Sequence, residues 1–369
     1  MRLYRAELYK LIHKKFFLIT FAAFAGLFVL YFCFITLGDE RTTVDGKVYT
    51  GYEAVKMDRK ITEEFAGTLN DKTAEQIIDK YGFPSQVQEL YGGFRDENYL
   101  NGFVTEFLGN GYMRDWEDYQ ISTDLIPLSQ TDLGKAARET GSEISFDYTK
   151  GWNAFLDLLQ IGMIFGSILI LVSISPVFAE EHQSRMTALL FTCEEGQKND
   201  VPAKLSASFT VAALIYAAAV GCAFLLAGTV YGFSGADCMT GISVESLFLN
   251  PFYRITMLPI WQFTCIALAA DFLALMSLCA AAVCISAHCT SVFHAVTISA
   301  LVWLGPLLIR LLGSGAGYFL MMGTPLFLVM TGVITDLYRA VFLPLTVTVC
   351  ILIFCTISGY RNYKASEAS

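Results

Sequence analysis

Six stretches of roughly twenty apolar residues each constrain this chain more than any other feature. They fall at 16–37, 155–179, 206–233, 260–287, 291–312 and 340–358. An apolar run of about 20 residues matches the hydrocarbon thickness of a bilayer when coiled as an α-helix. In lipid only a helix or a closed barrel satisfies its own backbone groups. The chain is therefore predicted to be an all-α polytopic membrane protein with six transmembrane helices. Composition agrees: 54% of the 369 residues are hydrophobic, 16% are charged and the mean hydropathy is +0.50. Those values lie outside the range of soluble globular domains. The first run is too long for a signal peptide, and no small-x-small cleavage site precedes Gly38-Asp39. It is expected to stay as an anchor. A seventh apolar stretch, 316–331, is shorter and contains Gly323 and Pro325. It fits a re-entrant or interfacial segment as well as a span.

Basic residues orient the spans, because loops on the cytoplasmic side are enriched in Lys and Arg. Arg2, Arg5, Lys10, Lys14 and Lys15 precede or open the first run. With six spans, Arg185, Lys198, Lys204, Arg361 and Lys364 fall on the same side. The prediction is a multi-pass protein of the cell membrane with both termini cytoplasmic and a tail at 359–369. Within 1–15, Tyr4, Leu8, Leu11, Ile12 and Lys15 recur at helical spacing. An amphipathic helix in the inner interface is expected there, with its lysines near lipid headgroups.

The segment 38–153 differs in character. Between Gly38 and Asn153 stand 12 Lys/Arg and 22 Asp/Glu, a local charge of about −10 that accounts for the chain's net −9. This is an acidic, mainly helical, extracytoplasmic insertion domain. Tyr52 to Phe65 and Thr73 to Tyr81 read as helices, the second opened by a Thr73/Gln76 capping box and stopped by Gly82 and Pro84. Turns are expected at Tyr91-Gly92-Gly93 and Gly109-Asn110-Gly111, and Phe94, Tyr99, Phe103, Phe107, Tyr112, Trp116 and Tyr119 are aromatic enough for a small core. An acidic surface does not suit nucleic acid. It either attracts a cationic peptide or keeps the domain soluble.

The polar connection 180–205 carries more order than a turn needs. Starting from the end of span two it reads Pro176-Val177-Phe178, Glu180-Glu181, Ser184-Arg185-Met186, Leu189-Leu190, Gly196-Gln197-Lys198 and Ala203-Lys204. In this stretch, and at Asn250-Pro251-Phe252-Tyr253 before span four, the chain resembles the type-2 ABC export permeases, particularly bacterial members with a large outer domain between spans one and two. Arg185 stands where relatives often carry glycine, and Gln197 interrupts the usual Gly-Lys/Arg step. The resemblance implies a transmembrane subunit that pairs with a second permease copy or paralogue, as a dimer embedded in membrane lipid. A separate ABC ATPase subunit would use ATP and Mg. Glu180, Glu181, Arg185, Met186, Leu189, Leu190, Lys198 and Lys204 would then couple this chain to the ATPase. Met186, Leu189 and Leu190 would form the apolar face of a docking helix, and the two glutamates would pair with basic groups on the ATPase or the N-terminal helix. On that reading Glu181→Lys leaves the complex assembled but uncouples hydrolysis from export.

The rest of the sequence favours a transporter subunit over an enzyme. No G-x-x-x-x-G-K-[ST] phosphate loop is present, so the chain itself is expected to bind no cofactor. Gly232-Phe-Ser234-Gly235 matches the G-x-S-G pattern of intramembrane serine proteases, but His288 and His294 lie near the opposite membrane face. Most of the ten cysteines lie in apolar runs; Cys279, Cys284 and Cys289 are spaced by five, which turns successive thiols roughly 140° apart and predicts no metal site. Asp271 lies near the middle of 260–287, where a carboxylate must face protein or water. Lining a substrate path and hydrogen bonding across helices both fit it. The competing reading is a membrane sensor or immunity protein whose outer domain captures a ligand.

Overall fold

The computed structural model describes residues 2–86, 94–109, 124–186, 194–239, 258–312, 320–330 and 342–365. Among these the protein is an all-α, multi-pass membrane protein, with six helices long and apolar enough to cross a bilayer. The N-terminal helix α1 (Arg2–Ile12) leads into α2 (Lys15–Tyr31), whose last turn widens into a π-helical segment, Phe32–Thr36. After the insertion come α7 (Lys150–Ile174) with its continuation α8 (Pro176–Ser184), then α9 (Glu194–Val230), α10 (Ile260–His288), α11 (Val292–Leu311) and α12 (Phe342–Ala365). The spans thus run further than their apolar cores suggest. The second extends from Lys150 to Ser184, because charged groups at both ends are held by partners inside the protein.

Two spans form the centre and four wrap them. About two thirds (67%) of the second span's most apolar window and 56% of the fourth's are buried inside the protein, against 11–22% for the other four. Helix α10 packs on α12, α7 and α9, and α7 packs most extensively on α9. Close approach of α7 and α9 follows from Gly162 and Gly166. A Cβ on either would stand 3.2–3.3 Å from Ala219 or Ile215. Small residues of this kind let helix backbones approach in a medium that offers no hydrophobic drive between helices.

Pro176 divides α7 from α8. It carries no backbone N–H and so interrupts the helical ladder. The free first-turn donors of α8 find a partner on another helix: Phe178 and Ala179 N–H both donate to Ser286 Oγ of α10, at 3.0 and 3.1 Å. The stretch read as re-entrant or interfacial supplies a short 3₁₀ helix, Pro325–Val329, buried against α10 and α12. Gln160 of α7 donates to Met330 Sδ beside it, at 3.3 Å.

The insertion has a core of its own. A hairpin of β1 (Arg41–Val44) and β2 (Lys47–Thr50) precedes α3 (Tyr52–Thr62), β3 (Gly67–Thr68), α4 (Asp71–Tyr81), β4 (Ser85–Gln86), β5 (Phe94–Arg95), α5 (Tyr99–Leu108), α6 (Asp132–Thr140) and β6 (Ser145–Phe146). Each strand pairing is antiparallel and short: β1 with β2, β3 with β6, β4 with β5. Helix α4 begins two residues earlier than expected. Asn70, not Thr73, caps it, its side chain accepting from Thr73 N–H at 3.0 Å. An asparagine at that position satisfies a first-turn donor better than a threonine inside the turn. The expected stop at Gly82 is found, at φ 68°. The core is chiefly aliphatic (Ile61, Ile77, Leu100, Val104, Leu133) around Phe103 and Phe146, with Met239 returning from beyond α9 to complete it. Tyr112, Trp116, Tyr119 and the turns at 91–93 and 110–111 lie outside the described residues.

Candidate functional site

The clearest polar constellation lies at the end of the bundle that carries both chain termini. Four helices converge there. Helix α8 contributes Glu181 and α9 contributes Lys204 and Asp200 from successive turns, the i, i+4 spacing that places them on one face. Lys204 is fully enclosed (0% exposed), yet its ammonium meets Glu181 Oε2 at 2.5 Å and also pairs with Asp200. Tyr363 of α12 donates its hydroxyl to the same Glu181 oxygen at 2.6 Å. The other carboxylate oxygen of Glu181 lies 3.6 Å from Lys10 Nζ on α1. Lys204 also lies over the rings of Phe178 and Tyr363, which meet tilted with centroids 4.2 Å apart. A buried ammonium needs this much compensation, since an uncompensated charge in the interior costs several kcal/mol.

Around this node the termini end is laced together. Glu180, next to Glu181 but on the outer side of α8, pairs with Lys14. Gln183 Oε1 accepts from Val292 N–H at 3.1 Å, tying α8 to α11, and Asn362 donates to Ala287 O at 3.2 Å, tying α12 to α10. Helix α1 lays its Tyr4, Leu8, Leu11 and Ile12 face on protein: Leu11 is buried, and Tyr4 Oη lies 3.0 Å from Thr210 Oγ1 of α9. Of the α1 face, the apolar side is thus occupied by α9. Glu7, beside Lys10, has its carboxyl pushed up by burial, partly offset by the lysine charges.

The residues singled out from sequence separate here into groups. Glu181 and Lys204 meet in the buried node, and Glu180 pairs with Lys14 at the N-cap of α2, just beyond the N-terminal helix. Arg185 ends α8 in the left-handed region (φ 57°), its N–H donating back to His182 O, and Met186 is about half exposed just beyond it. Lys198 falls in the opening turns of α9; Leu189, Leu190 and the Asn250–Tyr253 stretch lie outside the described residues. Burial of Glu181 changes the outcome expected for Glu181→Lys. A second ammonium pressed against Lys204 would break the packing of α8 on α9, so clean uncoupling is no longer the expectation. Asp200 and Tyr363 were not singled out from sequence, and Lys10 only as one of the basic residues ahead of the first span. Asp200 was legible as the i−4 neighbour of Lys204, whereas Tyr363 stands 182 positions from Glu181 and carries no local signal.

The insertion end holds a second node. Lys150, at the start of α7, meets Glu40 Oε2 at 2.7 Å and Asp58 Oδ2 at 3.4 Å. Asp58 is fully buried; its Oδ1 accepts from Thr42 Oγ1 at 2.6 Å and from Tyr99 N–H at 3.2 Å. Burial pushes the Asp58 carboxyl up, while Lys150 and the two hydrogen bonds pull it down. Tyr99 donates its hydroxyl to Asp147 O at 2.9 Å, and burial raises that phenol to about 12. The chain closes tightly here: a Cβ on Gly151 would lie 1.8 Å from the carbonyl oxygen of Gly232.

Ser234 lies at this same end, where its carbonyl accepts from Trp152 Nε1. Trp261 N–H bonds to Ala236 O, so α10 starts beside Ser234 and carries His288 some 40 Å away at about 1.5 Å per residue. The serine and that histidine are not brought together. The described cysteines are all free, and among the described residues no group of three His, Cys, Asp or Glu is placed to hold a metal. Asp271 of α10 is fully buried, with no hydrogen-bond partner for either carboxyl oxygen among the described residues. Compared with family models, curated proteins and solved structures, the chain matches none.

Proposed function

We infer that this chain is the membrane-spanning subunit of an ATP-driven exporter of the type-2 ABC permease kind, driven by a separate ATPase that engages the segment between α8 and α9. The observation that carries this reading is the Glu181–Lys204 pair. It joins the last turn of span two to the first turns of span three, the two elements that flank that segment along the chain. A push on the segment therefore reaches two spans through one enclosed ion pair, and reaches α12 and α1 through Tyr363 and Lys10. Interior packing of this density transmits displacement rather than absorbing it. The chain carries no phosphate loop, so the energy source in this reading is a partner. The basic residues at the termini end favour its placement in the cytoplasm, on the ATPase side.

The test is reconstitution. The tagged chain, purified from its own cells and placed in vesicles, should bring down a protein with a phosphate-loop motif and hydrolyse ATP. Met186→Asp combined with Leu190→Asp should lose at least tenfold of that hydrolysis while the chain still folds. Vesicles without ATP hydrolysis, or hydrolysis indifferent to the double variant, would leave the sensor reading in its place.

A further inference from the structure

Among the described residues, Asp271 is the one buried carboxylate without a hydrogen-bond partner. It stands eleven residues into the 29-residue α10, about 17 Å from its insertion end at 1.5 Å per residue. It is 0% exposed, and neither carboxyl oxygen has a hydrogen-bond partner among the described residues. By contrast, the other buried carboxylates at the two ends, Glu181, Asp200 and Asp58, each meet a lysine.

The elements packed on α10 bring no charge to Asp271. From α9 the nearby titratable group is Tyr216, whose hydroxyl already donates to Leu268 O at 2.8 Å and whose ring meets Phe272 edge-on. Along α7 the charged side chains are Lys150 and Asp157, both toward the insertion end. Helix α8 holds Glu180, Glu181 and His182 at the termini end. Helix α11 has His294 and Arg310 near its ends, α12 has no charged residue before Arg361, and the 3₁₀ helix Pro325–Val329 has none.

An ionised carboxylate in a bundle interior needs several donors or an opposite charge, and the described residues bring neither to Asp271. We propose that Asp271 is a proton-binding site in the middle of the bundle, occupied while α10 is packed on α7 and α9 and emptied to water only when those helices part. The proton leaves the carboxyl oxygen for a water molecule entering the opened path, and the carboxylate left behind is a negative charge inside the bundle. Such a group ties proton release to opening of the bundle and presents a carboxylate to any cationic cargo passing it. The inference concerns the bundle itself and does not depend on which partner drives it.

Infrared spectroscopy of the full chain in lipid vesicles at about pH 7 tests this, since an ordinary aspartate is ionised there. Subtracting the Asp271→Asn spectrum should reveal a protonated-carboxyl carbonyl stretch in the wild type that is lost in the variant. That band should shift only slowly on transfer to heavy water, because the closed bundle shields it. Isotope-labelled aspartate should move the band without any substitution, and Asp271→Leu serves for the subtraction if the asparagine variant does not fold. A subtraction showing carboxylate stretches instead would mean that Asp271 is ionised, against a cation or water, and would overturn the proposal. Immediate exchange in heavy water would overturn it as well.

Discussion

The two ends of span two carry the same chemistry in different settings. At each end one lysine holds two carboxylates: Lys204 with Glu181 and Asp200 at the termini end, Lys150 with Glu40 and Asp58 at the insertion end. Lys204 is sealed among four helices, whereas Lys150 keeps 28% of its side chain exposed. Asp58 has two further donors, Thr42 and Tyr99, while Glu181 relies on Tyr363 and the more distant Lys10. The insertion node is therefore a redundant fastening of a domain to a helix. The termini node is a single enclosed joint on which four helices depend.

That contrast can be broken by substitution, beginning with its strongest element. Lys204→Met leaves two buried carboxylates facing one another and should cost about 4 kcal/mol of stability, read as a fall in the thermal unfolding midpoint in detergent. Adding Glu181→Gln should recover part of that loss, because the two sites share one interaction. If Lys204→Met unfolds no earlier than wild type, the joint is not what holds the helices. Lys150→Met should cost roughly half as much, about 2 kcal/mol, since Asp58 retains its two hydrogen bonds and water reaches the lysine; an equal effect would erase the contrast. Tyr363→Phe removes one hydrogen bond to a charged group and should cost about 1.5 kcal/mol, measured in the same unfolding assay.

Acidity tests the insertion end on its own. Burial holds the Asp58 carboxyl above its ordinary value of 3.8. The folded domain then binds this proton more tightly than the unfolded chain does. The contribution of Asp58 is therefore most favourable below the ordinary carboxylate range and is lost as pH rises through the raised value. Hydrogen exchange of the insertion core, compared between wild type and Asp58→Asn across mild acid, should show that slope in the wild type alone. The smallest effect is expected for Glu180→Gln. Its partly exposed pair with Lys14 contributes less than about 1 kcal/mol. A larger loss would mean that the junction of α1 and α2 is fixed to the bundle chiefly by that bridge and not by the apolar face of α1 on α9.

Some of this was readable directly along the chain. Length and hydropathy of the six apolar runs place the spans, since a bilayer imposes one thickness on every helix that crosses it. Gly82 stops α4 and Pro176 interrupts the second span through backbone chemistry that needs no neighbour. Span ends were less legible. Lys150 and Glu181 look like polar boundaries in sequence, yet Lys150 opens α7 and Glu181 sits inside α8, each with its charge met by a residue distant in the chain. The cap of α4 was misplaced for a local reason, two candidate side chains standing three residues apart.

By itself, then, the sequence determined that this protein crosses the membrane six times, carries an acidic domain between the first two spans and places an ordered polar segment after the second. Those features depend on local composition and on the solvent that each segment must meet. Only the tertiary structure decided that Glu181 faces inward to Lys204 while Glu180 faces Lys14, that Tyr363 joins them from the far end of the chain, and that Asp271 has no described partner. Adjacent carboxylates on one helix point in different directions, and what each one meets is set by helices packed from remote positions. No spacing along the chain encodes that choice.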